Sequence, residues 1–280
     1  MKVLWTGDIV GGAGRRIFAA VAKEVKNGGG VSAIIANGEN CAGGSGITEE
    51  LGAELLAAGA DVVTLGDHVW SQKGTDAYLA RERRVLRPAN LPKECPGVGW
   101  TTVQTPQTPI TVVSLLGRVF MQPAECPFLT ADAVLARLPG NCGPVFVEIH
   151  AEATSEKIAL GRYLDGRVAA VAGTHTHVPT NDAVLLPKGT AYITDLGMTG
   201  PADSIIGRQV EPVLHKFRTG MPKKFDVAKG AAVLQGVIVD IDRASGRARA
   251  ITPFIRRESE PGVLEQISRT RGGASEKSCV

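Results

Sequence analysis

The sequence predicts an α/β fold, and three observations predict it. Short β-branched runs alternate with longer amphipathic ones, the joints between them are short and glycine-rich, and two late apolar runs turn about Ala244, Ser245 and Gly246. Strand, helix, strand with short joints makes a largely parallel sheet covered by helices. A tight late turn adds an antiparallel hairpin.

In chain order the expected strands are KVLWTG, VSAIIANG, DVVTLG, ITVVSLLG, PVFVEIH and VAAVAG, then TAYITDLG and the hairpin pair AAVLQGVIVDID and ARAITPFI. Each is a short run rich in β-branched residues, most of them ending in Gly, Asp or His. Between the early ones, residues 15–26, 48–58 and 75–82 carry helical patterns. Residues 88–109, rich in Pro, Gly and Thr, read as a long surface loop with little regular structure. From 257 to 280 the chain turns polar and Gly/Ser-rich, which predicts a flexible tail. With no internal repeat and no composition break, residues 1–256 are expected to form one domain with a substantial core.

Composition narrows the function. Of the 280 residues 44% are hydrophobic and 21% charged, and the formal net charge is only +3. Counterion-driven binding needs clustered cations, so nucleic acid and a membrane surface are poor partners on this count. Five cysteines, Cys41, Cys95, Cys126, Cys142 and Cys279, are scattered without a Cys-x-x-Cys pair. That argues against a disulfide framework or thiolate zinc site and suits a reducing compartment. MKVLWTGD meets Asp8 too soon for a secretory apolar region. No run approaches the ~18 apolar residues of a membrane span. The expected location is the cytoplasm.

The informative pattern is where each apolar run stops. KVLWTG runs into Asp8, AIIANG into Glu39 and Asn40, VVTLG into Asp67 and His68, VFVEI into His150, and VAAVAG into His175 and His177. In α/β sheets the ligand crevice lies beyond the carboxyl ends of the strands, so five separated segments would deliver these groups to one place. Singly each has a plainer reading: Asp8 a helix cap, Asp67 and His68 caps of the next turn, His150 a hydrogen-bonded core histidine, GTHTH a turn. Together those readings require five coincidences at equivalent positions. Because i and i+2 share a strand face, His175 and His177 are expected to point the same way.

Carboxylate, amide and imidazole without thiolate suit Mn, Fe or Zn. The groups are too many for one ion and suit two, and paired metals recur in phosphoester hydrolysis. There a carboxylate bridges the ions and the water between them becomes hydroxide.

GD at residues 7–8, GEN at 38–40, G-x-H-x-W at 66–70, the strand-terminal His150 and GTHTH resemble the calcineurin-like metallophosphoesterases, and more narrowly their YmdB-like branch of bacterial cyclic-nucleotide phosphodiesterases. LRPAN (86–90), LLGRVF (115–120), HAEATSEK (150–157), PKGTAYITDLGMTGP (187–201) and FDVAKG (225–230) extend the resemblance to about residue 240. It implies a two-sheet α/β/β/α sandwich with mixed sheets and a dinuclear site of two divalent ions, iron or manganese, with zinc a third choice. It implies that Asp8, Asn40 and His177 hold the first ion, Asp67, His150 and His175 the second, and that Glu39 bridges them. His68 would face the leaving oxygen as general acid or steady the phosphate. One position departs: where the family usually has Asn in G-N-H, this chain has Asp67.

The expected activity is therefore hydrolysis of a small cyclic nucleotide, 2′,3′-cyclic by the resemblance, by bridging-hydroxide attack with His68 as general acid. Alternatives are a phosphomonoesterase with the same metals, or a signalling or RNA-associated protein whose metals are structural. A homo-oligomer fits the resemblance. GGAGRR (11–16) lacks a third glycine for a dinucleotide loop and reads as a tight turn by the crevice, where Arg15 could assist an anionic substrate. Cys41 reads as a small buried residue. RERR (81–84) and HKFR (215–218) read as solvated helix faces. No Gly-x-Ser-x-Gly elbow supports a serine hydrolase.

Overall fold

A computed structural model describes residues 1–258. In chain order β1 (Lys2–Thr6) and β2 (Asp8–Ile9) precede α1 (Gly11–Asn27). Then come β3 (Ala33–Asn37), α2 (Glu49–Ala58), β4 (Val62–Thr64), α3 (Thr75–Arg81) and β5 (Val85–Leu86). The second half holds β6 (Trp100–Val103), β7 (Ile110–Leu116), α4 (Pro127–Leu135), β8 (Val145–His150), α5 (Thr154–Leu164) and β9 (Ala170–Thr174). The chain continues with β10 (Val184–Leu185), β11 (Ala191–Ile193), β12 (Met198–Pro201), α6 (Val210–Thr219), β13 (Ala232–Ile241) and β14 (Ala248–Arg257).

Two mixed sheets result. One runs β2-β12-β13-β1-β3-β4-β5 with β14 on β13, the other β10-β11-β9-β8-β7-β6. In the first, β1, β3, β4 and β5 are parallel, and β13 is antiparallel to β1, β12 and β14. In the second, β7, β8, β9 and β11 are parallel, with antiparallel β6 and β10 at the edges.

The period of two assigns each strand residue to a layer. Val3 and Trp5 of β1 face the second sheet, where the Trp5 ring meets Phe146 edge-on at a centroid distance of 5.7 Å. Leu4 faces the other way, onto Phe18, Val21 and Val25 of α1. On β7, Ile110 and Val112 face inward, while Val113 and Leu115 pack with Leu160 and Leu164 of α5. Helix, sheet, sheet, helix is the layer order the resemblance implied. Full burial of a side chain such as Phe146 contributes on the order of 2 kcal/mol by transfer alone.

Several elements differ from the reading of the sequence. GGAGRR is the first turn of α1 rather than a separate turn, because the helix lies against β12: a Cβ on Gly14 would sit 2.2 Å from the Thr199 carbonyl oxygen. Arg15 does not face an open crevice. It pairs with Glu54 at 3.0 Å and donates to the Cys41 carbonyl at 2.6 Å.

Residues 88–109 are not a structureless surface loop. β6 runs through them and pairs with β7, and buried Asn90 bonds Leu116 through both ends of its amide (2.7 and 2.8 Å). Proline and glycine on either side hid the β-branched run WTTV. Sequence reading also misses α4 and α5, and of α6 it finds only HKFR (215–218), which is an exposed face of that helix as expected. Gly161 interrupts the pattern of α5, at a place where a Cβ would meet the Tyr192 ring at 2.4 Å. Val213 is the one buried residue of α6.

The β13–β14 hairpin stands as expected, with one register shift at Asp240/Ile241. At the start of the expected tail, Arg257 closes β14, and Glu258 pairs with Arg16 at 2.8 Å. Residues 259–280 lie outside the described residues, and Cys279 with them. Among the described residues Cys41, Cys95, Cys126 and Cys142 are free thiols, and no helix is long and apolar enough to cross a membrane.

Candidate metal centre

Parallel strands end on a common edge, and here the ends of β1, β3, β4, β8 and β9 bring the expected groups together. Asp8 follows β1, Glu39 and Asn40 follow β3, Asp67 and His68 follow β4, His150 ends β8, and His175 and His177 follow β9. Asp8, Glu39, Asn40 and His150 are buried, and His68, His175 and His177 are partly exposed.

One group gathers at His150 Nε2, which lies 3.0 Å from Asp67 Oδ1, 3.1 Å from Glu39 Oε1 and 3.0 Å from His175 Nδ1. Ligand atoms of Glu39, Asp67, His150 and His175 all fall within 4.8 Å of one another. A second group gathers at His177 Nε2, 3.1 Å from Asn40 Nδ2 and 3.4 Å from Asp8 Oδ2. Glu39 Oε1 joins them, since it also accepts from Asn40 Nδ2 at 3.3 Å. His68 stands beside both: its Nδ1 is 2.9 Å from Asn40 Oδ1 and 3.2 Å from Glu39 Oε1.

One expectation fails in detail. His175 and His177 do not share a strand face, because β9 ends at Thr174 and both histidines take positive φ, 99° and 64°. Left-handed backbone at a non-glycine residue costs about 1–3 kcal/mol and persists only where its surroundings impose it. Here Asp195 Oδ2 accepts from both the backbone N–H (3.2 Å) and hydroxyl (2.8 Å) of the intervening Thr176, and is itself held by buried Lys157 at 2.7 Å. Asp8 Oδ2 accepts from the His175 backbone N–H at 3.0 Å. The loop thus turns the two imidazoles toward different groups.

Hydrogen bonds behind the histidines fix which nitrogen is free. Glu148, fully buried between the sheets, accepts from Trp5 Nε1, Asn37 Nδ2, Thr64 Oγ1 and Thr174 Oγ1. The Thr174 proton therefore goes to Glu148, and Thr174 accepts from His150 Nδ1–H at 2.9 Å. That leaves His150 Nε2, facing Asp67, Glu39 and His175, as the atom a metal ion would take in place of a proton. His177 likewise donates from Nδ1 to the Ile206 carbonyl at 2.9 Å, freeing Nε2.

The electrostatics suit a cation. Burial pushes the Asp8 carboxyl up to about 8 despite the pull of His150. Asp8 Oδ1 is buried with no hydrogen-bond partner, an acceptor left for something other than protein. Burial would also raise Glu39, but His150, with hydrogen bonds to His150 and His68, draws it down to about 2. Asp67 is held well below the usual carboxylate range, because hydrogen bonds to His150 and His175 outweigh its desolvation. Burial opposes charge on His150, yet Glu39, Asp67 and Asp8 raise it well above its ordinary value. Imidazoles draw charge from carboxylates here; an orphaned Asp8 oxygen and freed Nε2 atoms are what divalent ions would use. The donor set fits such ions.

Sequence reading missed the supporting residues. Glu148 had a signal, a charge inside the otherwise apolar run VFVEI. Lys157 and Asp195 lie in the motifs HAEATSEK and PKGTAYITDLGMTGP, but nothing local signals that they pair across 38 residues of chain. Of the motifs set aside, Cys41 is fully buried with its thiol pushed up to about 12 by burial. In RERR, Arg81 and Arg84 pair with Glu49 and Glu82.

Comparison with known proteins places these features in context. The family model described as YmdB-like protein matches residues 4–254. The 2′,3′-cyclic-nucleotide 2′-phosphodiesterase of Bacillus subtilis (strain 168) is 44% identical over 248 residues, 89% of this chain and 94% of that protein. The crystal structure of a novel phosphatase from Mycoplasma pneumoniae superposes with a TM-score of 0.86 at 32% identity, covering 96% of each chain. A structure from Staphylococcus aureus described as a 5′-nucleotidase shares the fold alone, with a TM-score of 0.57 at 11% identity over 96% of this chain and 58% of that one.

Proposed function

We propose, since this chain belongs to the YmdB-like protein family, that it is a metal-dependent phosphodiesterase of small cyclic nucleotides, 2′,3′-cyclic ones foremost. The observation that carries this reading is the pair of donor groups joined at Glu39. Asp8, Asn40 and His177 would hold one divalent ion, Asp67, His150 and His175 the other, with Glu39 between them. Iron or manganese suits these oxygen and imidazole donors, zinc less so. Bound there, the ions supply an activated water and positive charge against the charge building on phosphorus.

The chain's own contribution is proton placement. His68 Nδ1 is fixed between Asn40 and Glu39, and the Glu39 hydrogen bond raises the imidazole's pKa. Its Nε2 has no partner among the described residues, which leaves it to protonate the departing ribose oxygen. His68→Ala should lower turnover of 2′,3′-cyclic AMP roughly 10²- to 10⁴-fold with metal content unchanged. Loss of metal along with activity would make His68 a ligand instead. Metal-loaded protein with no turnover to lose would support the structural-metal reading.

Asp67 tunes the second group. A carboxylate where the family usually has an amide adds negative charge beside His150 and His175. It should tighten metal retention while weakening the ion's pull on phosphate oxygens. Asp67→Asn is expected to raise kcat and to lose metal faster to a chelator; no change in either would remove position 67 from the ligand set.

The Mycoplasma phosphatase favours a second reading, phosphomonoesterase activity with the same groups. Rates on 2′,3′-cyclic AMP against adenosine 3′-monophosphate decide between them. The free thiols suit a cytoplasmic location, and a homo-oligomer fits the resemblance.

A further inference from the structure

LRPAN lies outside the metal centre, yet it builds a cavity of about 770 Å³ between residues 87–100 and α4. None of the eight groups at the metal centre lines it. At its wall sits Arg87, only 7% exposed. Its guanidinium donates from Nε to the Pro96 carbonyl at 3.2 Å and from Nη1 to the Pro88 carbonyl at 2.8 Å. Among the described residues Nη2 bonds nothing and no carboxylate lies within ion-pairing distance of the group. A buried cation with carbonyl partners alone lacks a counter-ion among the described residues, and burying an unpaired charge is unfavourable.

The rest of the cavity agrees with an anion carried on a ring. Lys93 and Arg137 line it, both exposed and without an ion pair among the described residues. With Arg87 they make three cations against two carboxylates on the same wall, Glu94 and Glu125, both exposed. Trp100 is half-buried there, its indole N–H without an acceptor among the described residues. A planar guanidinium suits phosphate oxygens, and an indole suits a heteroaromatic ring.

We propose that this cavity is a second binding site, for a nucleoside monophosphate, with the phosphate on Arg87 and Arg137 and the base on Trp100. The assignment stands on the cavity's own chemistry and does not depend on the reaction at the metal centre. Crystals of the metal-loaded protein soaked with 8-bromoadenosine 5′-monophosphate should show anomalous bromine signal beside Trp100. Calorimetric titration with adenosine 5′-monophosphate should lose this binding in Arg87→Met. In Arg137→Ala, an exposed substitution that spares folding, it should weaken about tenfold or more, as expected for a charge-assisted hydrogen bond. Turnover of bis-p-nitrophenyl phosphate should stay unchanged in Arg137→Ala. Signal at the metal centre alone, affinity indifferent to Arg137→Ala, or binding of inorganic phosphate without the nucleotide would each overturn the proposal, leaving Arg87 as a staple for residues 88–96.

Discussion

Gly66→Ala should abolish turnover and metal binding while leaving most of the fold intact. An added Cβ at 66 would lie 2.2 Å from both Glu39 Oε2 and His150 Cδ2. Real Cβ atoms do not approach so closely, so the carboxylate joining the two donor groups or the imidazole behind it must move. Neither has room: both are fully buried, and His150 is tied through Thr174 to Glu148. A shift of about 1 Å in catalytic geometry costs on the order of 10²-fold, and a displaced ligand costs the ion as well. Metal content and circular dichroism of the purified variant check this. Normal metal content with normal activity would show that position 66 is not the tight approach described.

Stripped of metal by a chelator, the protein should lose stability as pH rises from about 4 to about 8, unlike most proteins. Asp8 sits at about 8 in the folded chain against an unfolded value near 3.8, raised by burial. Between those limits the folded state keeps a proton that the unfolded state has released. The Asp8 contribution is therefore complete below about 4 and falls through the window, by on the order of 1 kcal/mol per pH unit. His150, also raised, adds to the fall above its ordinary 6.5. His177, lowered by burial, opposes it only below 6.5. Glu39 and Asp67, both lowered, act below about 4.5 and so oppose the fall only at the lower edge of the window. Added Mn²⁺ should reverse the trend, because ligands bind metal only when deprotonated. Thermal melts at pH 5 and pH 8 in chelator, and proton release on metal titration, measure this. A melting point that climbs with pH in chelator, or metal uptake without proton release, would remove the buried protonated Asp8 from the account.

Legibility followed chain locality. The strand runs carry their own period, and each ends in a group that a parallel sheet must place on one edge, so Asp8, Glu39, Asn40, Asp67, His68, His150, His175 and His177 could be gathered from sequence. The β6 strand, α4, α5 and the start of α6 are harder. Their patterns are short, broken by glycine or proline, and completed by neighbours far along the chain, as Gly161 against Tyr192 illustrates. In sequence the GTHTH loop looks like a strand continuation, because nothing local signals positive φ at a histidine.

By itself the sequence determined the α/β alternation, the late hairpin and the donor groups at the strand ends, since these follow from side-chain periodicity and residue chemistry along contiguous chain. Only the tertiary structure decided which nitrogen of His150 and His177 is free, that His175 and His177 turn toward different groups, and that Arg87 is buried without a counter-ion among the described residues. Those facts depend on Asp195, Lys157, Glu148 and Thr174 meeting across distant segments, and on burial, a property that no stretch of sequence possesses until the sheets close around it.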